Sequence, residues 1–261
     1  MRDINAMTEQ EFQQGRPVRT VDAPGEMPDP AAGVRALARL AEPDALSVQK
    51  LQERRLIHRH DSVRVQADAF RELRTRLLAL GGDQSFVTLV ASIGPGCGGS
   101  FVARNLAVAF AFDESKKSLL IDCDARHPAQ HTALGIEVVD RGLIDYLEDP
   151  SIDIGDILYP TGVPRLAMIP SGRTREITGE SFSSFRMRAM IDSLRGRYND
   201  RYVILDGPSV QGSPDARILS DLADFVVLVA GYGRVTGATV EKTIANFPPE
   251  KLAGVVFNNN P

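Results

Sequence analysis

The chain has 261 residues, 43% of them hydrophobic and 25% charged, with a net charge of −4. That is enough apolar material for one α/β domain plus a tail. The acidic balance argues against nonspecific nucleic-acid binding, which needs a basic surface, and two cysteines without a framework fit a reducing compartment.

The first ~60 residues read as a largely disordered arm rich in proline, with Pro17, Pro24, Pro28 and Pro30. Short helical pieces are expected at Ala31 to Leu40 and at about Leu46 to Leu56, interrupted by Pro43. The first twenty residues are polar, so no signal peptide is expected. The longest apolar run, Phe225 to Gly231, is too short to span a bilayer. A soluble chain that meets a membrane only through a partner is expected.

An ordered domain over 61–261 follows. Phe70, Leu73, Leu77 and Leu80 fall at helical spacing over Gln66 to Leu80, and Gly81-Gly82 marks the stop. Apolar strands are predicted at Phe86–Ser92, Ser118–Ile121, Leu166–Ile169, Tyr202–Leu205, Phe225–Ala230 and Leu252–Phe257. Helices are predicted at Ser100–Phe112 and near 182–196, 214–222 and 236–246. Continuously apolar strands alternating with helices imply an α/β fold: a parallel sheet with helices on both faces. Ligands of such sheets bind beyond the carboxyl ends of the strands.

Three strand ends carry distinctive chemistry. The first runs into Ile-Gly-Pro-Gly-Cys-Gly-Gly-Ser, residues 93–100, and then a helix. Gly94, Gly96, Gly98 and Gly99 let successive backbone N–H groups converge on a phosphate, and Ser100 stands where a P-loop hydroxyl binds Mg2+. A tight glycine turn is the alternative reading. Gly99 occupies the position of the P-loop lysine, and no lysine occurs between Lys50 and Lys116. That removes a contact to the β- and γ-phosphates. Arg104 and Arg126 are the nearest cations in sequence.

The second end, Ile-Asp-Cys-Asp-Ala-Arg-His-Pro at 121–128, presents Asp122 and Asp124. Alternate carboxylates there can hold hydrated Mg2+ or accept a proton, or serve as turn aspartates capping a helix. The third, Leu-Asp-Gly-Pro at 205–208, gives Asp206 the character of a Walker B aspartate. Glycine loop, Asp-x-Asp and Asp, in this order, form a nucleotide-type constellation. Cys97 and Cys123 lie within the first two loops, either as small fillers or as a redox-sensitive pair. His127 and His131 read as solvated loop residues rather than a metal pair.

At these residues the chain resembles the bacterial tyrosine kinases, the cytoplasmic kinases of capsule and exopolysaccharide synthesis. Residues 119–128 resemble their second Walker motif and 202–208 their Walker B; the similarity covers about residues 56 to 260. Stretches 141–147, 215–224 and 254–259 resemble further landmarks, and 54–58 resembles versions encoded apart from their membrane partner. The run from Asp68 to Thr75 resembles the Glu-x-x-Arg-x-x-Arg helix that packs subunits into a ring, which implies an oligomer interface at Asp68, Arg71 and Arg74. A same-helix Asp68–Arg71 pair is the alternative.

The resemblance implies a deviant Walker P-loop fold, ATP or ADP with Mg2+, and an inner-membrane chain-length or co-polymerase protein as partner. Gly99, Phe101 and the absence of a tyrosine cluster after Tyr232 depart from the pattern. They imply weak nucleotide binding and little or no turnover, with Asp122 and Asp124 as vestigial catalytic groups. An active autokinase with a non-standard loop is the competing expectation.

Overall fold

The computed structural model describes residues 45–59, 64–82, 84–136, 141–172, 180–196 and 201–259. In chain order the elements are α1 (Val48–Glu53), α2 (Arg64–Gly81), β1 (Val87–Ser92), α3 (Gly99–Ala111), β2 (Lys117–Asp122), α4 (Gln130–Ala133) and α5 (Leu143–Glu148). A 3-10 turn (Ile154–Ile157), β3 (Tyr159–Pro160), β4 (Leu166–Ile169), α6 (Phe185–Gly196) and β5 (Arg201–Gly207) follow. The described chain ends with α7 (Asp215–Leu222), β6 (Phe225–Gly231), α8 (Gly237–Ile244) and β7 (Leu252–Asn258).

The strands form one sheet in the order β3-β4-β2-β5-β1-β6-β7. All neighbours are parallel except β3–β4, a two-residue antiparallel edge that no apolar run announces. Strand period 2 splits the side chains between two cores. Val87, Leu89 and Ala91 face α5–α8, while Val90 faces α2 and α3 with Leu120, Ile204 and Val227. Phe86, Phe110, Tyr202 and Phe225 form an aromatic cluster at the amino end of the central strands, with ring centroids 4.5–5.8 Å apart.

Helix α3 is the central helix of its face. From Val102 to Ala111 every residue is buried, because the sheet lies on one side and α2 and residues 55–59 on the other. An almost uniformly apolar helix is the expected signature of that position. Its carboxyl end is capped by three guanidinium groups. Arg74 Nη1 donates to Ala109 O at 2.7 Å, Arg165 Nη2 to Ala111 O at 3.1 Å, and Arg59 Nη2 to Phe112 O at 2.8 Å. These satisfy carbonyls that the helix leaves unpaired.

Residues 45–59 fall within the arm expected to reach about residue 60, and they pack against α3. Leu56, Ile57 and His58 are buried. Ile57 N–H donates to Asn105 Oδ1 at 2.8 Å, and Asn105 Nδ2 donates to Arg55 O and Phe101 O at 3.1 Å. The apolar pair Leu56-Ile57 is too brief to carry a helical or strand period, so only the partner surface on α3 reveals its packing. The second short helix is only Val48–Glu53, capped by Ser47 Oγ and ended by Arg55 at φ 54°. The helix expected at 31–40 lies outside the described residues.

Candidate functional site

Strand β1 enters the glycine loop at its carboxyl end. Gly96 has φ 71° and Gly98 φ 90°, the left-handed region that glycine occupies without Cβ strain. Gly98 is the N-cap of α3, so the first turn of a 13-residue helix points its free N–H groups at the loop. Asn258 Nδ2 donates to Cys97 O at 3.1 Å and fills the space where a Cβ on Gly98 would sit.

The position expected for lysine has a filled environment. Gly99 N–H donates to Ser92 Oγ at 2.9 Å, and a Cβ on Gly99 would lie 2.5 Å from that oxygen and 3.0 Å from Ser92 N. The Ser92 hydroxyl therefore stands where a side-chain stem would leave the helix.

Beneath the loop the carboxylates meet. Parallel pairing puts Asp122 directly opposite Asp206 on adjacent strands. Both are buried. Asp122 is occupied by backbone: its Oδ1 accepts from Asp124 N at 3.2 Å and its Oδ2 from Gln130 N at 3.1 Å. Asp206 Oδ2 accepts from Gln130 Nε2 at 2.6 Å, whereas its Oδ1 is buried without a hydrogen-bond partner. Asp124 lies at the more open edge, where its Oδ1 accepts from His127 N at 3.1 Å. Among the described residues no three acidic, cysteine or histidine side chains converge into a ready metal shell. The three aspartates thus divide: Asp122 braces the loop that follows β2, Asp206 offers a bare oxygen, and Asp124 stands at the more open edge with 18% of its side chain exposed. His127 is exposed, with its Nδ1 3.7 Å from Asp124 Oδ1.

Gln130 is the residue that sequence reasoning missed. It opens α4, is fully buried, and ties three parts of the site together. Besides Asp206 its Nε2 serves Ser100 O at 2.8 Å, and its Oε1 accepts from Arg104 Nη1 at 3.2 Å. Arg104 is buried one turn into α3, so a cation does lie beside these carboxylates. Burial pulls its pKa below the usual arginine range, Asp206 opposes that shift, and Arg55 adds to it.

The electrostatics follow from burial. Desolvation first, then the charge of Asp206, pushes Asp122 well above the carboxylate range against its two backbone donors. Desolvation pushes Asp206 up to about 7, opposed by the hydrogen bond from Gln130 and by the nearby Ser100 hydroxyl. Asp124 raises it further and Arg104 lowers it. Burial and the same three carboxylates push the Cys123 thiol up, which disfavours the thiolate that redox exchange requires. Cys97 and Cys123 are both buried and both free.

A bare buried oxygen, an adjacent hydroxyl and carboxylates that resist carrying charge together are the chemistry a hard divalent cation completes. Mg2+ usually keeps several waters and takes one or two carboxylates plus phosphate oxygens. The donor set here fits that requirement. Beside the loop, a cleft of about 640 Å³ is lined by Val210, Gln211, Thr239 and Lys242 among others, and Gln211 and Val235 press against Gly94.

The residues expected at an oligomer interface are only partly free. Asp68 and Arg71 pair within α2 at 2.8 Å, and Arg64 approaches Asp68 at 3.9 Å. Arg74 is directed inward to cap α3. Arg74 Nη1 thus has a partner within its own chain, whereas Asp68 and Arg71 stay more exposed.

No protein-family model matches the chain. It is 29% identical over 191 residues to tyrosine-protein kinase CpsD of Streptococcus agalactiae, covering 72% of this chain and 81% of that one. It is 32% identical over 195 residues to tyrosine-protein kinase Wzc of Salmonella typhimurium, covering 74% of this chain and 26% of the relative. It is 30% identical over 189 residues to the succinoglycan biosynthesis transport protein ExoP of Rhizobium meliloti, covering 69% and 23%. The chain thus spans about a quarter of the length of those two longer relatives. Among solved structures, the tyrosine kinase domain of BceF superposes with a TM-score of 0.66 at 27% identity, covering 90% of this chain and 99% of that domain. On this P-loop α/β fold, the chain belongs to the family of bacterial tyrosine-protein kinases.

Proposed function

We propose that the chain is a regulatory, weakly nucleotide-binding pseudokinase of exopolysaccharide or capsule synthesis. It acts at the cytoplasmic side of the inner membrane through a membrane chain-length or co-polymerase protein. The observation that carries the reading is the contrast within one loop. The phosphate cradle and the bare Asp206 oxygen are kept, while the Ser92 hydroxyl fills the place of a lysine stem at Gly99.

In this reading Gly94, Gly96, Gly98 and Gly99 cradle the phosphates of ATP or ADP. Ser100, Asp206 and Asp124 hold Mg2+, and Asp122 braces them. The ion, when bound, offsets the charge on the phosphate oxygens. Gln130 fixes Asp206, and Arg104 balances the buried carboxylates in the absence of a loop lysine. Polyphosphate then meets a site with weak positive potential, so affinity is low and dependent on Mg2+.

No helix among the described residues is long and apolar enough to cross a membrane, which agrees with attachment through a partner. The likeness to ExoP, a succinoglycan biosynthesis transport protein, supports the polysaccharide context, and the likeness to the tyrosine-protein kinases CpsD and Wzc supports the kinase ancestry. A ring through Asp68 and Arg71 remains part of this proposal; it requires the internal Asp68–Arg71 pair to reopen toward a neighbour.

Purified chain incubated with Mg-ATP tests the reading. We expect Mg2+-dependent nucleotide binding in calorimetry and no phosphotyrosine. Robust phosphotyrosine, abolished by Asp124→Asn, would overturn it. An active autokinase is the second reading; Arg104 beside Asp206 favours it, together with Tyr232, which stands 81% exposed just past β6.

A further inference from the structure

The loop at 93–100 contains no basic side chain, and Arg104 is engaged below it with Gln130. A cation nevertheless reaches the loop from a different strand. β6 ends at Gly231, and a turn closes where Arg234 N–H donates to Gly231 O at 3.1 Å. Gly233 takes φ 69° within that turn. The Arg234 side chain then folds back across the strand end.

Two glycines make its track. A Cβ on Gly231 would lie 3.0 Å from Arg234 Cδ, and a Cβ on Gly96 would lie 3.0 Å from Arg234 Nη1 and 3.5 Å from its Cζ. The guanidinium therefore lies against the Gly96 backbone, in space that any other residue at 96 would fill. Gly231 also seats the turn on the loop, because a Cβ there would come 3.0 Å from Cys97 Cα. Arg234 is exposed, and its guanidinium makes no hydrogen bond or ion pair among the described residues.

A planar donor held at the lip of a glycine cradle matches phosphate in both charge and fork geometry. We propose that Arg234 is the phosphate-binding cation of this site, taking the terminal phosphate of a nucleoside diphosphate or triphosphate in place of a loop lysine. The inference rests on the nucleotide reading above. The converging backbone N–H groups hold the inner phosphates from below, and Arg234 contacts the outer one from the rim.

Calorimetric titration of the full chain with Mg-ADP and with AMP tests it on wild type, Arg234→Ala and Arg234→Lys. An exposed side chain is not expected to alter folding, and equal unfolding midpoints verify that. Arg234→Ala should weaken Mg-ADP about 10- to 100-fold and leave AMP within about twofold, and Arg234→Lys should restore part of the loss. Unchanged Mg-ADP affinity in Arg234→Ala would overturn the assignment while the nucleotide reading stands. Equal losses for ADP and AMP would overturn it in favour of a ribose or base contact. Absence of any wild-type binding would remove the nucleotide reading and this proposal together.

Discussion

Replacing Asp206 by asparagine is expected to stabilise the metal-free protein at alkaline pH and to leave it nearly unchanged at acid pH. Asp206 is wholly buried opposite Asp122, with its carboxyl pushed up to about 7 from an ordinary 3.8. A raised carboxylate pKa means that the native state holds its proton more tightly than the unfolded state does. Its contribution is therefore most favourable at low pH and declines as pH rises from about 4 to about 7. At ~1.4 kcal/mol per unit, full ionisation costs about 4 kcal/mol, of which roughly 2.5 develops between about pH 5 and about pH 8. Asparagine keeps an acceptor for Gln130 and carries no charge. Urea unfolding with chelator present, at those two pH values, measures the difference. Wild type should lose about 2–3 kcal/mol relative to the variant on going from acid to alkaline pH. Adding Mg2+ at about pH 8 should restore wild type and leave the variant unaffected. Equal destabilisation of the variant at both pH values would refute the account of Asp206 as a strained, cation-seeking carboxylate.

Restoring lysine at Gly99 should tighten Mg-ATP binding by about one to two orders of magnitude, after the Ser92 hydroxyl rotates away at a stability cost of about 1 kcal/mol. Titration calorimetry reads the gain, and Ser92→Ala combined with Gly99→Lys should recover part of the lost stability, since the 3.0 Å approach to Ser92 N remains. Gln130→Ala should cost about 2–4 kcal/mol, since it strands Asp206, Ser100 O and Arg104 at once; chemical denaturation measures it. Asn105→Ala leaves Ile57 N and Arg55 O without their partners and should cost about 2–3 kcal/mol. Limited proteolysis should then release residues 45–59 faster than in wild type.

The sheet was legible because strands buried on both faces need apolar interiors, and Leu89–Ala91, Tyr202–Leu205 and Val226–Ala230 supply them. The glycine loop and the aspartates at two strand ends were legible for the same reason: polar chemistry begins where the apolar run stops. The pairing of Asp122 with Asp206 was not, since register between strands 84 residues apart follows from topology alone. Gln130 carries no local signal; a glutamine after His-Pro-Ala becomes functional only when α4 packs under the loop. Arg104 was half legible, because Ser100 and Arg104 stand four residues apart and share a helix face. Arg234 was invisible, since its reach depends on Gly96 and Gly231, 135 residues apart, lying against one another's loops.

The three guanidiniums at the far end of α3 have a further consequence. A 13-residue helix is about 20 Å long, roughly twice the distance over which physiological salt damps a surface charge. Arg59, Arg74 and Arg165 therefore sit a full helix length from the glycine loop. They do fix where the rod ends, because each comes from a different segment of chain. The two ends of α3 are thus mechanically joined. A protein docking against the N-terminal segment or α2 would act on the loop by sliding or tilting the rod.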